Sequence, residues 1–129
     1  MLDRQRKRWR SFLMPRVLQG IDKQYPVYRC GQYMILSLSG NVESGVSAQV
    51  RKQILQALRK NESLLVDLSE AGVIGGAIVA NLVEGLNVAL EKKLTFSLVS
   101  PSEKAMKILR LAKLDSMFPI VDIGDRCVA

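Results

Sequence analysis

Histidine is missing from all 129 residues. That excludes the Ser-His-Asp and Cys-His nucleophile arrangements and the common zinc sites. The acids are scattered, with no closely spaced pair beside a pocket signal, so neither a catalytic centre nor a metal or other cofactor is expected. Cysteine is nearly absent too. Cys30 and Cys127 lie far apart and form no metal-ligand pattern, and a reduced, cytoplasmic protein is the simpler expectation, with a single bridge as the alternative. Aromatic residues make up only 5% of the chain. No apolar run approaches the roughly 18 residues that a membrane span needs. The basic N-terminus is not followed by an apolar stretch and a small-residue cleavage site, so a secretory signal is not expected.

What is present is basic charge, unevenly spread. The chain carries a formal +7. Arg4, Arg6, Lys7, Arg8, Arg10, Arg16 and Lys23 stand against Asp3 and Asp22, so most of the excess belongs to residues 1–24. Within that arm Trp9, Phe12, Leu13, Val17, Leu18 and Ile21 recur at spacings of three and four, a helix-like stripe that Pro15 interrupts unless a helix starts there. The expected organisation is a basic extension, 1–24, and one domain, 25–129. The arm suits contact with anionic lipid or nucleic acid, or its stripe folds back on the domain or pairs in a homodimer.

Beyond the arm, strands and helices alternate. "PVYRC" (26–30) and "YMILSLS" (33–39) predict two strands joined by a tight turn. Val46, Val50, Ile54 and Leu58 fall four apart and predict a helix over 44–60. "LLVDL" (64–68) is a short apolar run of the kind buried in a parallel sheet. Ile78, Leu82, Leu86 and Leu90, widened by Val79 and Val83, predict a second helix. "LTFSLV" (94–99) predicts a strand. In "SPSE" (100–103), Ser100 is the expected cap, with Pro101 and Glu103 completing the helix start. "PIVDI" (119–123) closes the series, before Gly124. The order β-β-α-β-α-β-α-β implies an α/β fold with a mainly parallel sheet of four to five strands and an antiparallel pair at its beginning.

Three segments resemble the STAS domain, the sulfate-transporter and anti-sigma-factor-antagonist family. They are "LSLSGNVESG", "LLVDLSEAGVI" with the helix after it, and "LVSPSEKAMKILRLAKLDSMFPIVD". The resemblance covers about residues 26–125. It implies a bacterial, non-catalytic regulator that binds a protein partner, such as an anti-sigma switch kinase or a larger regulatory assembly. It also allows an accessory subunit of a membrane transport system, and small-ligand sensing at the glycine entry is a third reading. Family members of the antagonist type carry Asp-Ser-Ser-Gly or Asp-Ser-Thr-Gly where the central loop enters the second helix. Here Gly75, Gly76, Ala77 and Ile78 occupy those positions, with Ala77 in place of the phosphorylated serine. The expected partner-binding surface is the Gly40-Asn41 turn together with Gly75, Gly76, Ala77, Ile78 and Val79.

"VIGGAIV" lacks the Lys and Ser/Thr of a phosphate-binding loop and is not GxGxxG. A tight strand-to-helix entry is the plainer reading of the two glycines, and a docking surface the more specific one. Cys30 reads as a small core residue and Asp67 as a structural acid capping a nearby turn.

Overall fold

A computed structural model describes residues 24–122. The basic arm with Trp9 and Phe12, together with Gly124 and Cys127, lies outside them. The elements run β1 (Val27–Cys30), β2 (Tyr33–Ser37), β3 (Gly40–Val42), a 3-10 turn (Ser44–Val46), α1 (Ser47–Arg59), β4 (Ser63–Asp67), β5 (Ala71–Ile74), α2 (Gly76–Glu91), β6 (Phe96–Val99), α3 (Glu103–Leu111) and β7 (Ile120–Val121).

Five strands form the main sheet in the order β1-β2-β4-β6-β7. β1 pairs antiparallel with β2, through the tight turn at Gly31. The other pairings are parallel, as crossover connections through helices require. This is the mixed α/β architecture expected. A second sheet was not anticipated: β3 and β5 pair parallel to each other and form a two-stranded ribbon.

Side chains alternate across a strand, and here the alternation sorts the sheet into two faces. Met34, Leu36, Leu64, Val66, Phe96 and Leu98 face one side and join Val50, Ile54, Leu58, Ile78, Leu82, Leu86 and Leu109 in the main core. All three helices contribute to that core. Cys30, Ile35, Leu65 and Val99 face the other way and form a separate small cluster.

Gly85 sits where α2 crosses this core. A Cβ there would stand 2.6 Å from Phe96 Cε2 and 2.8 Å from Ile54 Cγ2, so the absent side chain is what lets α2 approach both α1 and β6. Asn81 is buried, and its Nδ2 donates to the Ser47 carbonyl at 2.8 Å. On the outside, Arg51 on α1 grips Glu84 on α2 through two hydrogen bonds of 2.7 and 2.8 Å.

The hydrogen bond from Arg51, aided by its charge, holds the Glu84 carboxyl below the ordinary glutamate range. A carboxyl whose folded pKa is depressed stabilises fully above its unfolded value, near 4.3. That contribution fades as pH falls through the lower folded value. The stability gap between the wild type and Glu84→Gln should therefore be constant near neutrality and shrink below about pH 4.3. Urea melts at several pH values will check this; a gap that widens in acid would contradict it.

The helix start after β6 differs from expectation. Ser102, not Ser100, caps α3: its Oγ accepts from the Ala105 N–H at 3.1 Å. The Ser100 N–H is still engaged with the sheet, donating to the Val121 carbonyl at 3.1 Å. The chain must first turn, at a Ser100 φ of +42°, so the cap falls two residues later.

Cys30 is a buried core residue as read, at the end of β1. It is also disulfide-bonded, so the bridged alternative, not the reduced one, describes this strand end. Asp67 is 1% exposed. Its Oδ1 accepts the Ser69 N–H at 2.9 Å and its Oδ2 accepts the Ser37 hydroxyl at 3.1 Å. That is the turn-capping acid expected, and burial is tolerable because the carboxylate is hydrogen-bonded.

Candidate functional site

The candidate surface is assembled by the small β3–β5 ribbon. Gly40 turns the chain out of β2 with a φ of +70°, a left-handed conformation that favours glycine. Its N–H donates to the Glu70 carbonyl at 3.0 Å. Asn41 then reaches across the ribbon, and its Oδ1 accepts the Val73 N–H at 2.9 Å. Gly72 makes room for that reach, because a Cβ there would collide with the same Asn41 oxygen. Sequence proximity does not connect Asn41 with Val73; the ribbon does.

One residue separates β5 from α2. Gly75 caps the helix without a side chain, and its carbonyl accepts from both Ile78 and Val79 N–H, at 3.0 and 3.1 Å. The Gly75 N–H donates to the Val42 carbonyl at 2.9 Å, locking the helix entrance to β3. Its φ is −81°, so the backbone does not demand glycine. A Cβ at Gly75 would make ordinary contact with Glu43 Cα at 3.4 Å, and one at Gly76 would meet nothing within 4 Å.

Gly76 therefore marks open surface, and its lack of a side chain leaves the helix entrance flat. Gly76→Ala should raise the melting temperature. Alanine at a compatible backbone position stabilises by about 0.4–1 kcal/mol, chiefly by restricting the unfolded chain. Calorimetry will read this; a fall in melting temperature would mean that the entrance is conformationally strained.

The ribbon sets Gly40 opposite Ala71 and Asn41 against Val73, and at its other end the Gly75 N–H meets Val42, where Gly75, Gly76 and Ala77 begin α2. Gly40, Asn41 and Gly76 are exposed, and Gly75 and Ala77 half-buried. Ile78 and Val79 do not belong to that surface. They are 0% and 8% exposed and pack in the main core, because the first inward turn of an amphipathic helix must cover the sheet. Val73, missed at the sequence level, is 42% exposed on the adjoining strand. An exposed valine next to small residues is an apolar contact, and its signal was hidden inside the run "AGVI".

The surface is neutral: its five side chains, with Val73, carry no charge and no hydroxyl. A polar cavity of about 360 Å³ opens beside it, lined by Ser69, Ser100, Pro101, Ser102, Glu103, Met106 and Arg110. Ser102 joins cavity and surface, since its Oγ also donates to the Ala71 carbonyl at 2.6 Å. No group of acids, cysteines or histidines that could hold a metal occurs among the described residues. No helix among them is long and apolar enough to cross a membrane.

Several solved structures share this fold. The Thermotoga maritima protein TM1081, a proposed anti-sigma factor antagonist, is 24% identical with a TM-score of 0.69, over 76% of this chain and 86% of that one. An anti-sigma factor antagonist from Mycobacterium paratuberculosis is 20% identical with a TM-score of 0.64, over 80% and 89%. A serine-to-glutamate form of RsbS from Moorella thermoacetica is 16% identical with a TM-score of 0.67, over 82% and 92%. A comparison with curated protein sequences finds no match. The family model described as "Mlab, STAS domain" matches residues 28–122; the chain belongs to the STAS domain family.

Proposed function

We propose that this chain is a non-catalytic regulatory domain that docks a protein partner on the entrance to α2. The observation that carries the reading is the neutral, small-residue surface of Gly40, Asn41, Val73, Gly76 and Ala77, held on paired backbone instead of a loose loop. The likeness to proteins named as anti-sigma factor antagonists supports it, since that name describes action on another protein. A phosphate at a helix start would add nearly two negative charges. Ala77 occupies the position at which the antagonist type carries its phosphorylated serine, and it has no oxygen to accept one. Partner binding is then constitutive or governed by the partner, and the basic arm, 1–24, is an extension outside this surface.

A switch kinase of the anti-sigma type should place no phosphate on residues 75–78, which mass spectrometry after kinase treatment will check. A kinase-dependent phosphate on Ser69 that altered partner binding would overturn the unswitched reading. The partner itself is found by affinity capture with two baits, the wild type and Ala77→Glu. A protein held by the first and lost by the second, with both baits folded, supports the surface. Recovery of a kinase-like factor supports the regulatory role. An ATP-binding transport subunit captured instead would assign the domain to a membrane transport system.

A further inference from the structure

Among residues 24–122, the positive charge is concentrated on α3. From Glu103 to Lys113 the chain carries Lys104, Lys107, Arg110 and Lys113 against Glu103 alone, a net +3. The other described residues hold seven cations against eight acids, a net −1. A spacing of three keeps Lys104, Lys107 and Arg110 on one side of the helix. Ala105 and Leu109, both 0% exposed, turn the opposite side into the main core. All four cations are exposed. Ion pairs among the described residues join Arg29 to Glu62 and Arg51 to Glu84, and none reaches an α3 cation. Helix stability does not account for this row. Like charges one turn apart repel, and Lys104 stands in the first turn, where the helix dipole disfavours a cation. On the same side, four residues after Lys107, Leu111 is 72% exposed, the most open large apolar side chain among those described.

We propose that the outer face of α3 is a peripheral membrane contact. Its cations meet anionic lipid headgroups, and Leu111 enters the boundary between headgroups and acyl chains. Charge complementarity carries the first half. An anionic surface relieves the mutual repulsion of the row, and a cluster of four Lys and Arg on a helix suits lipids of that charge. Leu111 decides among anions. A nucleic-acid backbone gives an aliphatic side chain nothing apolar to meet, and α3 has no aromatic side chain on which bases could stack. An acidic protein would attract the cations too, but a desolvated ion pair in a protein interface needs fixed, well-matched geometry. Three of the four cations are lysines, point charges on flexible stems, which a fluid headgroup layer matches wherever they stand. A few cations and one leucine give reversible attachment, far weaker than a spanning helix. The contact is separate from the docking surface at the entrance to α2 and does not depend on it.

The test sediments the full chain with phosphatidylcholine vesicles, either pure or containing about 30% phosphatidylserine, at about 0.1 M salt. The wild type should sediment with the anionic vesicles and stay in solution with the neutral ones. Lys104→Gln combined with Lys107→Gln and Arg110→Gln should weaken that partition by about 10- to 100-fold. Lys52→Gln combined with Lys60→Gln and Lys93→Gln removes the same charge from other exposed positions, and should change it by less than about threefold. Residues 1–24 are common to every protein compared, so their charge cancels. Leu111→Ser, at unchanged charge, should cost a further few-fold. Melting temperatures should match the wild type throughout, since every changed side chain is exposed. Partition that survives the α3 triple substitution, or falls equally in both triples, would overturn the proposal. So would Leu111→Ser partitioning like the wild type, which would pass the face to an acidic protein or a nucleic acid.

Discussion

Ala77→Glu should weaken partner binding by about 10- to 100-fold, or roughly 1.4–2.8 kcal/mol, while leaving the fold intact. The position follows the Gly75 cap by two residues. An acid in the first turn of a helix is favoured by the dipole, by about 0.3–1 kcal/mol. Ala77 is half-buried, which leaves room for a longer side chain to swing outward over Gly76, where no atom lies within 4 Å of a would-be Cβ. The same carboxylate in an interface must shed its water without finding a counter-charge, and that is costly. Calorimetric melting and titration of the partner, measured on both proteins, separate the two effects. Unchanged affinity with an unchanged melting temperature would move the docking surface elsewhere. Collapse of the fold would show that Ala77 serves packing.

The largest effect on stability is expected at Gly85. Alanine there gains helix propensity worth about 0.5–1 kcal/mol. Against it stands a Cβ only 2.6 and 3.1 Å from two Phe96 ring carbons and 2.8 Å from Ile54 Cγ2. Those neighbours are not free ends: Phe96 and Ile54 are both fully buried, and Phe96 also packs on Phe118 with ring centroids 6.2 Å apart. Overpacking of a core costs roughly 1–3 kcal/mol, so the clash wins. Gly85→Ala should lower the melting temperature by about 5–10 °C, at roughly 4–8 °C per kcal/mol for a domain of this size. Gly85→Val should cost more, since it adds two methyl groups to the same gap. Gly76→Ala on the same helix should move the other way, and a fall of equal size at both positions would contradict this packing account.

Periodic elements were legible in the sequence. The spacing of Val50, Ile54 and Leu58 identified the buried face of α1, and Ile78, Leu82 and Leu86 that of α2. Leu90 extended the α2 stripe on paper but is 64% exposed, because it lies at the helix end beyond the sheet that the stripe covers. β3 and β5 were not legible. Each has three or four residues, too few for an alternating pattern, and each pairs with a partner some thirty positions away. Gly40 looked like a strand ending, and it also begins the next one. The consequence for the site is specific. Asn41 and Gly76 could be named from the resemblance, but Val73 became visible only once the ribbon placed it against Asn41. Ile78 and Val79 were misplaced on the surface because a motif records which positions matter without recording which way they face.

Ser102 has a further bearing on how a partner is met. One hydroxyl caps α3 and holds the Ala71 carbonyl, while the Ser102 N–H donates to the Leu68 carbonyl at 3.0 Å. Helix, ribbon and central strand are thus fastened at a single residue behind the docking surface. A surface with so stiff a floor loses little freedom on contact, so little of the interaction energy is spent on ordering it. Encounter then depends on collision and orientation, which differ little between variants of one interface. What a change at Ala77 alters is how long the partner stays, and hardly at all how fast it arrives.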